Sequence, residues 1–267
     1  MPPYVARAKQ ERANPREQQS LTVACQRSAM GKLPILEVGK MPNTLGPNGQ
    51  MANSVHKKGN DPMQIKGPNQ ECIRLRQSQF VGRGGQGTIY ARQDTAYKIF
   101  HSQSAVLSHQ KFVELGRILS PYVLCPSAII TDEKDQAIGY AMPLVTNTVP
   151  LCRLFPRVYR DAHNIAPTTL VALVSHMRRV LEDIHRSGCT VVDLNELNVL
   201  ISADYKTAYF IDTDSYQTPT HAPTAVMETI RDRLAPVDQF NAGTDWFSFA
   251  VITFQLFTGI HPYRGLH

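Results

Sequence analysis

The chain has 267 residues and a formal net charge of +6, a length that can bury a sizeable core in one or two domains. The charge is uneven: residues 1–70 carry ten Lys/Arg against four Asp/Glu, and the rest of the chain carries eighteen of each. There is no run of 18 apolar residues, no N-terminal apolar core followed by a small-residue cleavage site, and no CxxC pairing among the five cysteines. These features argue against a membrane span, a secretory leader and a zinc or disulfide framework, and the expected setting is a reduced cytoplasm.

The first 70 residues contain eight prolines and one aromatic residue, Tyr4. Such a composition buries too little apolar surface to offset its ordering entropy, so residues 1–70 are expected to form a disordered basic tail. Its two apolar islands, 21–25 and 33–38, are candidate docking peptides for a partner. Scattered basic charge is a weak signal for nucleic acid, which is disfavoured as a partner, and a solvated tail is the plainer reading.

From residue 71 the pattern becomes globular. Strand-like runs are expected at 73–81, 87–92, 96–100, 127–131 and 137–143, interrupted by a helix at 104–119. A long amphipathic helix follows at 167–187, with Leu170, Val171, Leu173, Val174, Met177, Val180, Leu181 and Ile184 at helical spacing. Two short strands at 199–202 and 207–211 and a last apolar helix at 245–256 complete the order. A sheet-rich first half and a helical second half predict a two-lobed α+β fold.

Three groups of residues carry chemistry. Gly82, Gly84 and Gly87 form GxGxxG, where glycine lets a backbone approach phosphate closely. Alone this motif is weak. It reads equally as a glycine-rich hairpin, and as a dinucleotide-binding turn only if a helix follows; a strand is expected instead. Lys98 lies inside an apolar strand, where it either snorkels to solvent or pairs with an acid. Glu114, on the helix expected next, is the only acidic residue between Thr95 and Thr131; it is either the partner of Lys98 or a solvent-exposed acid beside Lys111 and Arg117. Asp193 and Asn198 then lie five residues apart in one loop, and Asp212 ends the next apolar run. One carboxylate to orient a hydroxyl nucleophile, with an amide and a second carboxylate to hold Mg²⁺, is the set that phosphoryl transfer needs. Each residue alone is explained as well by a turn or a cap; together, in this order, they are not.

With these residues in place, the chain resembles the eukaryotic-like (Hanks-type) protein kinases from about Phe80 to Gly265, in wording closest to an atypical bacterial branch. The resemblance rests on Gly82-x-Gly84-x-x-Gly87, Ala96-x-Lys98, Glu114, Ile184-His185-Arg186, Asp193-Leu194, Asn198-Val199-Leu200, Asp212, Asp245-Trp246 and His261-Pro262-Tyr263. It implies Ser/Thr kinase activity on protein substrates with ATP and Mg²⁺. The domain would cover 71–267, with a small β-rich lobe at 71–145 and a helical lobe at 146–267 curtailed at its end. It further implies Asp193 as catalytic base, Lys98 and Glu114 as the phosphate-positioning pair, and Asn198 and Asp212 as metal ligands. Adenine would lie between Val81, Ile89, Ala96 and Leu200, with Met142 as gatekeeper and Pro143, Leu144 and Val145 as hinge.

The chain departs from that pattern at several positions. Val191-Val192 stands where His-Arg is usual, which implies activity without activation-loop phosphorylation. Asn195 replaces a phosphate-contacting lysine, and Thr213-Asp214 replaces Phe-Gly, which implies a second carboxylate, Asp214, near the metal, either as a ligand or as a turn residue. Ala235-Pro236 is followed by Val237 rather than glutamate. These departures keep two alternatives open: a pseudokinase that binds nucleotide or partners with little or no catalysis, and a kinase-fold enzyme that acts on a small molecule or transfers AMP.

Overall fold

Alternating apolar and polar residues build the first half of the chain into antiparallel strands. The computed structural model describes residues 62–263. Seven strands form one sheet: β1 Met63–Lys66, β2 Cys72–Leu75, β3 Phe80–Arg83, β4 Gly87–Arg92, β5 Thr95–Phe100, β6 Ala128–Thr131 and β7 Ala137–Pro143. Their spatial order is β2-β1-β6-β7-β5-β4-β3. The first and last strands in that order are joined by only the four residues 76–79, which include the 3₁₀ turn Gln77–Gln79. Five Cα steps reach at most about 17 Å, whereas seven flat strands would separate the edges by about 29 Å. The sheet therefore has to curl. Its concave side holds Ile65, Ile73, Leu75, Tyr97, Ile99, Ile130 and Ala141 as one buried cluster.

The helix α1, His109–Leu115, crosses over between β5 and β6. Ser108 caps it by accepting from the Lys111 N–H, which fixes where the helix starts. A smaller sheet of order β10-β9-β8 uses Thr148–Pro150 (β8), Val199–Ser202 (β9) and Ala208–Phe210 (β10). Around it lie α2 Arg157–Ala162, α3 Pro167–Arg186 and α4 Ala242–Thr258. Helix α3 starts on Pro167, whose missing N–H costs nothing at the first turn. It buries Leu170, Leu173, Met177, Val180, Leu181 and Ile184, each worth about 1.5–3 kcal/mol. It ends at Ser187, before Gly188 with φ 81°. The fold class is mixed α+β, in line with the order of elements expected from the sequence.

Three expectations are corrected. Strand β1 lies inside the segment expected to be tail: Ile65 is 1% exposed, and β1 pairs with β2 and β6. The sheet thus begins before residue 71, and the expectations for residues 1–61 lie outside the described residues. The single strand expected at 73–81 is two strands at opposite edges of the sheet, split at Gln77–Gln79. The helix expected at 104–119 shrinks to His109–Leu115, because the Ser108 cap restarts the chain after the 3₁₀ turn Gln103–Ala105.

Among the described residues no helix is long and apolar enough to cross a membrane.

Candidate active site

Strands β5 and β7 set the back of the site. Lys98 pairs in register with Tyr140, and directly opposed residues present their side chains on the same face. Both are buried, at 5% and 1% exposure. Lys98 therefore does not snorkel. Its Nζ lies 2.6 Å from Asp212 Oδ1 and 2.7 and 2.8 Å from the two carboxylate oxygens of Asp214. The Tyr140 hydroxyl donates to Asp214 Oδ1 at 2.6 Å, and Lys111 Nζ donates to the Asp214 carbonyl at 2.7 Å. Burial alone would lower the Lys98 pKa, but the charges of Asp214 and Asp212 outweigh it and raise it. Burial pushes the Tyr140 phenol well above its ordinary range, so it stays a donor.

The expected Lys98–Glu114 pair does not form. The Glu114 carboxylate accepts from Thr218 Oγ1 at 2.6 Å, Thr220 Oγ1 at 2.8 Å and Gln110 Nε2 at 2.9 Å. Those bonds, with Thr218 first, hold its pKa down to about 2. Helix α1 turns Glu114 toward the segment 218–221, while Asp214 follows Asp212 closely enough in sequence to reach the lysine first.

The loop before β9 is held from α4. Asp245, fully buried, accepts from the Val191 N–H at Oδ2 and the Val192 N–H at Oδ1, both at 2.8 Å, and lies 2.8 Å from His185 Nε2. Val192 has φ 63°, a left-handed conformation that a β-branched residue adopts only when its surroundings impose it. Asp193 comes next. Its pKa is raised, by burial first, with the charge of Asp212 adding to the effect. Asn198 donates its Nδ2 hydrogens to Asp193 Oδ2 at 3.0 Å and to the Asp193 carbonyl at 3.1 Å. That leaves Asn198 Oδ1 as an acceptor with no protein donor among the described residues. The Asn198 carbonyl in turn accepts from the Ile211 N–H at 3.0 Å, which places Asp212 beside the loop. Asp212 itself is left-handed, with φ 59°, and its side chain is 35% exposed.

The structure therefore brings together Lys98, Asp193, Asn198 and Asp212, and sets Glu114 apart from them. Asn195 is 3% exposed and staples the loop, its Oδ1 accepting from the Leu197 and Asn198 N–H groups. It occupies the place of a lysine without projecting outward. In the glycine loop, a Cβ on Gly87 would meet the Ile99 carbonyl oxygen at 2.7 Å, whereas one on Gly82 would meet nothing within 4 Å. Gly87 is required by β5, and Gly82 leaves open space.

Of the expected adenine-contacting residues, Ala96 is buried beside Met142 in register, Ile89 and Leu200 are half-buried, and Val81 is 46% exposed. The Leu144 N–H donates to the Asp94 carbonyl at 3.0 Å, and Pro143 has none. Of the three residues expected to form the hinge, Val145 is thus the one with an N–H available among the described residues. A cleft of about 440 Å³ lined by Cys72, Arg74, Arg76, Ser78, Gln79 and Arg92 contains none of these residues.

Sequence reasoning missed the part played by Tyr140, Lys111 and Asp214. Period-2 alternation in β5 and β7 was the available signal for Tyr140. None existed for the choice between two carboxylates.

Comparison with known proteins adds a distant relationship. The chain is 26% identical over 213 residues to the Serine/threonine-protein kinase PknE of Mycobacterium tuberculosis and, equally, of Mycobacterium bovis, covering 72% of this chain. The chain spans about a third (36%) of the length of these curated relatives. No protein-family model matches the chain. The relationship supports a protein-kinase-like transferase at a coarse level.

Proposed function

We propose that this chain is an ATP- and Mg²⁺-dependent phosphotransferase acting on Ser/Thr hydroxyls of protein substrates in the cytoplasm. The observation that carries this reading is the meeting of Lys98, the loop residues Asp193 and Asn198, and Asp212 from three separate stretches of sequence. The curled sheet would be the nucleotide-covering lobe, and the part built on α3 and α4 the catalytic lobe.

Asn198 Oδ1 and the Asp212 oxygen not taken by Lys98 are acceptors without a protein donor among the described residues, a set of hard oxygens that would suit Mg²⁺. Bound there, the ion would neutralise charge on the transferring phosphates. Asp193 would accept the hydrogen bond of the incoming hydroxyl and take its proton as the new P–O bond forms. Asn198, through Nδ2, fixes the direction of that carboxylate. Lys98 would turn to the α- and β-phosphates, and the open space over Gly82 gives the phosphates a backbone to lie against. Val145 would supply the hinge N–H to adenine. The Val191–Val192 turn is pinned by Asp245 from within the fold, which supports activity that needs no activation-loop phosphate.

One observation favours the pseudokinase reading: Lys98 is fully engaged by Asp212 and Asp214, and Asn195 provides no cation for the γ-phosphate. Incubation with Mg-ATP and a generic Ser/Thr-rich acceptor protein, read by intact mass, separates the readings. A phosphoryl increment supports the proposal. An adenylyl increment or no increment overturns it.

A further inference from the structure

Asp214 is 3% exposed and is gripped from three directions. Lys98 of β5 meets both its carboxylate oxygens at 2.7 and 2.8 Å, Tyr140 of β7 donates to Oδ1 at 2.6 Å, and Lys111 of α1 donates to its main-chain carbonyl at 2.7 Å. A buried carboxylate is kept only where it is paired and hydrogen-bonded, and here both oxygens meet the Lys98 ammonium while the Tyr140 hydroxyl holds one of them. Glu114 has all its contacts elsewhere: Gln110 on its own helix, and Thr218, Thr220 and His221 in the segment after Asp214. The groups facing Lys98 are Asp212 and Asp214 beside it, Tyr140 and Phe100 as rings at 6.0 and 5.6 Å, and Lys111 from α1.

We propose that Asp214 is the positioning residue for Lys98, and that Glu114 serves instead as a tether between α1 and the segment 218–221. Asp212 is partly exposed and can turn away to a metal. Asp214 cannot, because Tyr140 and Lys111 hold it. When Asp212 leaves, Asp214 keeps the ammonium in place at the mouth of the glycine loop. The geometry of this anchor stands by itself; its consequence for nucleotide binding rests on the phosphotransferase reading above.

The test compares wild type, Asp214→Asn, Tyr140→Phe and Glu114→Gln in the full chain, with two readouts. The first is the rate at which an amine-reactive ester acylates Lys98 at one fixed pH, quantified by peptide mass spectrometry, which needs no nucleotide. The second is the affinity for Mg-ATP against that for adenosine, which lacks the phosphates Lys98 would meet.

The expected result is a rise in Lys98 acylation of about tenfold for Asp214→Asn, the size of one lost charge-assisted bond of about 1.4 kcal/mol. Tyr140→Phe should change it in the same direction by less, and Glu114→Gln by under about twofold. Mg-ATP affinity should fall about tenfold in Asp214→Asn with adenosine affinity unmoved. If Asp214→Asn does not fold, the Tyr140→Phe and Glu114→Gln pair decides the matter by the same ordering. The proposal is overturned if Glu114→Gln frees Lys98 as much as the other two, or if neither of those frees it. Wild type that binds no Mg-ATP would defeat the phosphotransferase reading and leave the acylation ordering to judge the anchor.

Discussion

Asn198 turns its amide nitrogen onto Asp193, at 3.0 Å from Oδ2, and so leaves its amide oxygen without a protein donor among the described residues. One side chain thus orients the candidate base and, on the proposed reading, would also offer a metal ligand. Asn198→Ala removes both functions. Its kcat for phosphoryl transfer should drop by about 10²–10³, the size of one lost positioned polar group. Asn198→Asp keeps the ligand oxygen but loses the donor and puts a second carboxylate against Asp193, so it should recover metal-dependent binding without recovering rate. Steady-state kinetics and Mg²⁺ titration of the two variants check this.

Asp245 satisfies two buried backbone N–H groups and lies against His185. Asp245→Ala leaves those donors unpaired beside a left-handed Val192, at about 1–3 kcal/mol for each lost partner. The expected outcome is a denaturation midpoint lowered by several kcal/mol in equivalent stability and loss of activity together. Asp245→Asn keeps acceptor capacity at one oxygen and should fall between the two. Chemical denaturation of the three proteins measures it.

Because that turn is pinned by Asp245 rather than by a bound phosphate, phosphatase treatment should leave activity within about twofold of untreated protein, since no cation at Val191 or Val192 depends on a loop phosphate. Complete loss of activity on dephosphorylation contradicts the account.

Much of this site was legible in the sequence, and the illegible parts have physical causes. Asp193, Asn198 and Asp212 were readable because a short loop and one hairpin fix their spacing whatever the rest of the chain does. Lys98 was readable because an ammonium in an apolar strand demands an anion. Which anion was not readable: Glu114 and Asp214 both follow Lys98 in sequence, and only the direction of α1 decides. Strand β1 was hidden because Met63-Gln64-Ile65-Lys66 offers a single fully buried residue among tail-like neighbours. The polar run Arg76-Gln77-Ser78-Gln79 was the available signal for the split, but it does not say that the strands on its two sides go to opposite edges of a curled sheet.

Glu114 gives a pH signature. Its folded pKa of about 2 is below the ordinary 4.5, so its contribution to stability is fully present above about pH 4.5 and is lost as pH falls toward 2. The stability gap between wild type and Glu114→Gln should therefore be constant at neutral pH and close across that acid window. Urea denaturation at a series of pH values tests the sign. A gap that widens on acidification contradicts the assigned contacts with Thr218 and Thr220.

Gly87 and Gly82 separate architecture from ligand binding. Gly87→Ala forces a Cβ against the Ile99 carbonyl at 2.7 Å and should destabilise the β4–β5 pairing by about 1–3 kcal/mol. Gly82→Ala meets no protein atom within 4 Å, so its melting temperature should stay near wild type while Mg-ATP affinity falls. Thermal melts with and without nucleotide distinguish the two.

The most direct test of the central claim is the initial rate of phosphate transfer from Mg-ATP to an acceptor Ser/Thr protein, measured for wild type and for Asp193→Ala under saturating nucleotide. The account predicts measurable transfer by wild type and a fall of at least about 10² in Asp193→Ala, as for loss of a positioned general base, with nucleotide affinity little changed. Equal rates in the two proteins would contradict it.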